Sequence, residues 1–141
     1  MNDEFLKLEN QLCFPLYASA RKVVNLYTPL LKPLGITYTQ YLVFLVLWES
    51  PRQTVGELCE KLHLDTGTLT PLLKKMETAG FITRARFSAD ERVVEIELSE
   101  KGKALKEQAR DIPVKVGGCL CLEPDEVKAL YSALHKILEM G

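Results

Sequence analysis

Two helix-start signals followed at once by a hairpin pattern constrain this chain more than any other feature. Thr54 stands three residues before Glu57, the reciprocal capping arrangement of a helix N-terminus, and Asp65 stands at the head of a second periodic stretch. The first helix, over about residues 55–62, places Val55, Leu58, Cys59 and Leu62 on one face. The second is expected over about residues 66–79, and Gly80 is suited to stop it. Residues 81–88 and 92–99 then alternate as strands, with the polar turn Ala89-Asp90-Glu91 between them. Two short helices, a tight turn and a hairpin make a winged helix-turn-helix.

The flanks read as helix. Apolar residues recur at helical spacing from Cys13 to Leu31, and Pro15 belongs in a first turn, where proline leaves no hydrogen bond unmade. Pro29 is expected to kink the far end. Pro33-Leu34-Gly35 breaks the chain, Thr37 caps a second helix over about residues 38–49, and Ser50-Pro51 ends it. That helix is apolar on nearly every side, so it is buried. Ser99 caps a helix over about residues 100–111, which Pro113 and Gly117-Gly118 are expected to break. A last helix over about residues 125–140 carries Val127, Leu130, Leu134, Ile137 and Leu138 on one face. Residues 3–11 read as a short helix or a loose arm.

The fold class is therefore mostly α with a small β wing. The whole of residues 1–141 reads as one domain, with about 37–99 as the winged helix-turn-helix part. About 1–36 and 100–141 form helices that either pack on their own domain or, as their apolar faces favour, build a two-fold homodimer.

Composition removes other classes. An apolar fraction of 47% and a charged fraction of 26% exclude wholesale disorder. The longest apolar run, from Tyr41 to Trp48, is too short to span a bilayer, so no membrane association is expected. The acidic start Met-Asn-Asp-Glu shows no secretory signal, and a cytoplasmic location follows as the expectation. Cys13, Cys59, Cys119 and Cys121 should then be reduced thiols, and their spacing is not that of a zinc ribbon. No metal or cofactor is expected.

A net charge of −1 does not itself point to nucleic acid, so that argument rests on clustering. The second helix of the pair opens with Thr66, Thr68 and Thr70, whose hydroxyls and methyls can meet base edges or phosphates. Lys74 and Lys75 follow, and the hairpin supplies Arg84, Arg86 and Arg92. An arginine near a wing tip can enter a minor groove, and Asp90 can orient Arg92 by a bidentate pair. Singly these residues read as caps and a solvated face. In this order they read as a DNA interface.

Cys13 lies where Pro15 indicates a helix start, and a helix N-terminus favours a thiolate, the form that attacks peroxide. The plainer reading is a buried structural thiol. Cys59 reads as core; with His63 it offers two metal ligands, which is not a site. Cys119 and Cys121 follow the glycine pair in the expected break. They suit resolving thiols for a sulfenic acid, an incidental pair, or a C-x-C metal clamp.

Leu12-Cys13-Phe14, Leu16-Tyr17-Ala18-Ser19, Tyr27 with Pro29-Leu30-Leu31, Thr37-Tyr38 and Gln40-Tyr41-Leu42 resemble the organic hydroperoxide resistance repressors of the MarR family. Leu64-Asp65, Gly67-Thr68-Leu69-Thr70-Pro71-Leu72-Leu73-Lys74 and Asp90-Glu91-Arg92 extend the resemblance over nearly the whole chain. The resemblance implies a homodimeric repressor that releases double-stranded operator DNA on oxidation by an organic hydroperoxide. It implies Cys13 as the peroxidatic residue and Tyr27 and Tyr38 as its hydroxyl partners, which otherwise read as core aromatics. In two-cysteine members a C-terminal cysteine of the other subunit closes a disulfide; Cys119 stands near the matching place, and Cys121 is an extra candidate. Pro15 departs from the family pattern. The rival readings are a MarR-type regulator answering to a metal or a small phenolic ligand, and a thiol peroxidase enzyme. The helix-turn-helix and wing weigh against an enzyme.

Overall fold

A computed structural model describes residues 2–87 and 89–141, with the backbone alone for Phe87, Asp90 and Glu91. Two single 3-10 turns, Asp3–Leu6 and Leu8–Asn10, form the N-terminal arm. Helix α1 then spans Cys13–Leu31, and Pro15 does sit in its first turn. The helix continues through Pro29, and a 3-10 turn, Lys32–Leu34, follows it. Gly35 has φ +74°, a left-handed turn open to glycine at no steric cost. There the chain bends by 74° into helix α2, Tyr38–Glu49. Thr37 and Gln40 close the capping box at its start. Val43, Phe44 and Leu47 of α2 are fully buried, which explains why that helix has no polar face.

Strand β1, Arg52–Thr54, was not foreseen. It is three residues long and polar, and it exists because it pairs antiparallel with the hairpin. Thr54 and Glu57 form the capping box of α3, Val55–Leu62. His63 turns the chain with a left-handed φ of 54°, and Asp65 caps α4, Thr66–Thr78. Strands β2, Ile82–Phe87, and β3, Asp90–Leu98, complete a three-stranded sheet in the order β1-β3-β2. The hairpin turns earlier than expected: Phe87 already pairs with Asp90, so Asp90 and Glu91 belong to β3. Ser88 lies outside the described residues.

Ser99 caps α5, Glu100–Ala109. The chain does break ahead of Pro113, at Arg110 and Asp111, but the stretch through Gly117-Gly118, expected to be broken too, is a further helix, α6, Ile112–Cys119. Pro113 falls in its first turn, where it is tolerated, and both glycines keep helical backbone. Cys119 therefore ends a helix, and Cys121 alone lies in the link, with φ 52°. Helix α7 spans Pro124–Leu138.

One core joins these parts. Leu58, Leu69, Leu73 and Met76 of the helix pair meet Phe44 and Leu47 of α2 and Ile96 of the sheet, all fully buried. Phe44 stacks on Trp48 at 5.1 Å and meets the Phe81 ring edge-on at 5.2 Å. The Trp48 indole N–H donates to the Gly102 carbonyl at 3.0 Å, which pins α5 to α2. Gly102 is required there: a Cβ would sit 2.4 Å from the Phe81 carbonyl oxygen. Lys101 donates to the Ala79 carbonyl at 2.7 Å and lies over the Phe81 ring, so the end of α4 is held by α5.

Outside this core large apolar side chains stand uncovered. Leu12 is 81% exposed, and Phe14, Leu16 and Tyr17 of α1 are exposed with it. On α7 no residue is buried, and Val127, Leu130, Ile137 and Leu138 are each close to half exposed. The amphipathic face of α7 thus does not bury itself on its own chain.

Candidate DNA interface and redox site

The reading helix begins with a well-made cap. The Asp65 Oδ1 accepts from the Thr68 amide at 2.7 Å. Hydrogen bonds from Thr68, side chain first and backbone second, hold the Asp65 carboxyl below its ordinary pKa. The first turn exposes Thr66 and Thr68, and Thr70 is half-buried behind them. Lys74 and Lys75 are exposed further along α4. Cys59 is partly buried against the core, as expected, with its sulfur 3.8 Å from the Thr66 hydroxyl.

Recognition helix and wing meet along a cleft of about 380 Å³ that Thr66, Thr70, Arg84 and Arg92 line together. Arg84 is tied across it, its Nε 3.2 Å from the Glu77 carboxylate of α4. Its first role is therefore to fix the angle between wing and reading helix. Arg86 and Arg92 are exposed on the wing, each with an interaction inside the chain. The side chain of Asp90, expected to orient Arg92, lies outside the described residues. Hydroxyls of α4, Thr66 and Thr70, and cations of the wing, Arg84 and Arg92, thus share one side of the domain. A helix N-terminus with its partial positive charge lies among them.

The second site is divided. Cys13 is exposed at the first residue of α1. Tyr27 and Tyr38 come together elsewhere, with ring centroids 4.8 Å apart, because the bend at Gly35 folds the start of α2 back on the end of α1. Tyr41, one turn after Tyr38, packs on both rings at 5.5 and 6.2 Å and is almost wholly buried. Burial pushes all three phenols above their ordinary pKa, and their closeness adds to it for Tyr38 and Tyr41. These are neutral hydroxyl donors at any ordinary pH. Sequence reasoning did not single out Tyr41; its spacing of three from Tyr38 was the available signal. Beside the tyrosines an open, mostly apolar groove of about 710 Å³ runs between α1 and α2, lined by Val24, Leu31, Ile36 and Tyr38 among others.

Cys13 and Tyr27 share α1 but stand 14 positions apart, about 21 Å along the axis at 1.5 Å per residue. No rotamer closes that gap. The thiol and the phenol pair of one chain therefore stand apart. Cys119 and Cys121 are exposed near the other end of the chain. Among the described residues Cys59 and His63 gain no third metal-binding side chain.

A helix-turn-helix with an attached wing, carried on helices with uncovered apolar faces, defines a winged-helix transcriptional regulator. Residues 25–109 match the transcriptional regulators of the SarA/Rot family. The organic hydroperoxide resistance transcriptional regulator of Bacillus subtilis is 52% identical over 136 residues, 96% of this chain and 92% of that one. Among solved structures, AbfR of Staphylococcus epidermidis in its reduced, DNA-bound form is 37% identical with a TM-score of 0.81, covering 99% and 97% of the two chains. Disulfide-formed AbfR, also 37% identical, gives 0.68 over 97% and 96%. A mutant MarR of E. coli, complexed with operator DNA, is 27% identical with a TM-score of 0.84, over 97% and 99%. The chain belongs to the MarR-type transcriptional regulators, in the branch of the organic hydroperoxide resistance regulators.

Proposed function

We propose that this chain is a homodimeric, peroxide-sensing repressor that holds double-stranded operator DNA while Cys13 is reduced and releases it when Cys13 is oxidised. The observation that carries the reading is the divided site: an exposed thiol at one end of α1, and a phenol pair about 21 Å away at the other. A second copy set antiparallel along α1 about a two-fold axis would bring each Cys13 to the other copy's Tyr27 and Tyr38. The uncovered faces of α1 and α7 support that pairing.

In the assembled site the Cys13 thiolate attacks the outer oxygen of an organic hydroperoxide. The O–O bond breaks, Cys13 becomes a sulfenic acid, and the departing alkoxide takes a proton to leave as the alcohol. Tyr27 and Tyr38, kept neutral by burial, donate hydrogen bonds to thiolate and peroxide. The apolar groove beside Tyr38 suits the alkyl part of the oxidant. The sulfenic acid then condenses with Cys119 or Cys121 of the other subunit, giving a disulfide and water. Each Cys13 reacts once, as a signal and not as turnover.

On DNA, each α4 would lie in a major groove, with Thr66, Thr68 and Thr70 at bases or phosphates and Lys74 and Lys75 on the backbone. Arg86 and Arg92 of the wing would reach the adjoining minor groove, with Asp90 beside Arg92. Half-site spacing is strict, so a disulfide that draws the terminal helices together would misplace the two reading heads. A regulator of this kind works in the cytoplasm, where its thiols start reduced.

The test is a titration of reduced protein against DNA from upstream of its own gene, before and after one equivalent of cumene hydroperoxide, with thiol mass analysis of the same samples. Release with oxidation at Cys13 is expected, and Cys13→Ser should bind yet ignore peroxide. Release that persists in Cys13→Ser would sink the reading.

A further inference from the structure

Gly117 and Gly118 occupy the last turn of α6, immediately before Cys119. Three glycines elsewhere answer a geometric need: Gly35 and Gly80 have φ of +74° and +83°, and Gly102 leaves no room for a Cβ, whereas Gly56 and Gly67, near the starts of α3 and α4, make only ordinary contacts. Gly117 and Gly118 answer neither. Neither has positive φ, and a Cβ at either would meet nothing within 4 Å. What remains is their effect on the helix itself. Each glycine makes the helical state about four- to fivefold less favourable than alanine would.

The neighbours bound this weak stretch. Val116, just before it, is buried in the core, and after it Glu123 and Pro124 open α7 with a capping box. Past the helix's own bonds, the Leu120 N–H donates to the Gly117 carbonyl at 3.3 Å. The other side of the proposed disulfide is built oppositely. Cys13 starts a 19-residue helix whose first turn is stiffened by Pro15, with its φ held near −65°.

A disulfide demands a Cβ–Cβ distance near 3.8 Å and a dihedral near 90°. Two stiff helix ends on different subunits rarely meet those terms, whereas one stiff and one soft end can. Resting on the peroxide-sensor reading above, we propose that residues 117–120 are a hinge whose melting presents Cys119 to the oxidised Cys13 of a second copy. The Cys119 thiolate attacks the Cys13 sulfenic sulfur. An S–S bond forms, the S–O bond breaks, and hydroxide leaves with the thiol's proton as water. The glycine pair thus sets the speed of the resolving step at Cys119, the residue the helix restrains.

The full-length dimer carrying Gly117→Ala and Gly118→Ala, mixed rapidly with cumene hydroperoxide, tests this. Sulfenic acid is read by dimedone trapping and the disulfide by non-reducing peptide mass. Cys13 sulfenic acid should form at the native rate, and the Cys13–Cys119 disulfide about 10- to 30-fold more slowly. An unchanged disulfide rate, or a disulfide made through Cys121, overturns the hinge while leaving the sensor intact. No sulfenic acid on Cys13 in the native dimer overturns the sensor reading itself. Should the alanines prevent dimerisation, hydrogen exchange on the native reduced dimer decides. Amides 118–120 should exchange at least tenfold faster than those in the middle of α1, and equal protection refutes the hinge.

Discussion

Cys13 and Tyr27 stand on one uninterrupted helix, about 21 Å apart along its axis, so the thiol and the phenol of a single chain cannot touch. Helix α1 spaces the two groups. In the dimer proposed above, each redox site would depend on both copies, and the interface that positions the two reading heads would also assemble the sensor.

A mixed dimer should show this dependence. One subunit carries Cys13→Ser, and the other carries Tyr27→Phe with Tyr38→Phe. Pairing across the interface leaves one complete site, so the single remaining Cys13 should be oxidised at close to the native rate. Pairing within a chain leaves none. Stopped-flow oxidation of the purified mixed dimer distinguishes the two, and a rate no faster than that of the Tyr27→Phe, Tyr38→Phe homodimer would refute sharing.

Lys74 and Lys75 should act on DNA affinity through charge. Replacing either by Ala is expected to weaken binding to operator and unrelated DNA alike, and to reduce the salt slope of log K by about 1. Arg84→Ala should behave differently. Its partner is Glu77, so its loss should loosen the wing and weaken operator binding with less change in slope. Fluorescence titrations over a range of salt concentrations measure both. Equal slope changes for Arg84 and Lys74 would mean that Arg84 leaves Glu77 for a phosphate.

Gly102→Ala should destabilise the fold by about 1–3 kcal/mol or more, as overpacked cores do. The new methyl would face the Phe81 carbonyl at 2.4 Å and Leu98 at 2.7 Å, and relief would cost the Trp48 bond to the Gly102 carbonyl. Trp48 is the one tryptophan in the chain, so its emission follows the unfolding directly. A denaturation midpoint equal to that of the native protein would contradict the packing described.

Alkaline pH should destabilise the protein through the tyrosine cluster. Tyr27, Tyr38 and Tyr41 have pKa values raised by burial, so the folded state keeps protons that the unfolded chain releases. Their contribution is full below the ordinary phenol pKa of about 10 and is lost as pH rises through the raised folded values. Stability measured from about pH 8 to 11 should fall in the upper part of that range, and Tyr41→Phe should make the fall shallower. An identical profile in Tyr41→Phe would exclude that residue from the effect.

The local elements were legible wherever short-range physics decides them. Thr37, Thr54 with Glu57, and Asp65 announce three helix starts, and the alternation after Gly80 announces the wing. Each signal is a reciprocal hydrogen bond or a side-chain period, which a few neighbouring residues determine. Strand β1 was not legible, because Arg52-Gln53-Thr54 becomes a strand only by pairing with β3. Helix α6 was not legible either. Pro113 and two glycines argue for a break, but Ile112 and Val116 are buried in the core, and that burial outweighs weak propensity.

By itself, then, the sequence determined the order of helices and wing, the Thr-rich start of α4 and the presence of Cys13, Tyr27 and Tyr38. Only the tertiary structure decided how those residues are grouped. It folded Tyr38 onto Tyr27, brought Tyr41 onto the two phenols and tied Arg84 to Glu77. The reason is one of range: caps and periods act over three or four residues, whereas a site is a set of distances fixed by the folding of α1 on α2 and of the wing on α4.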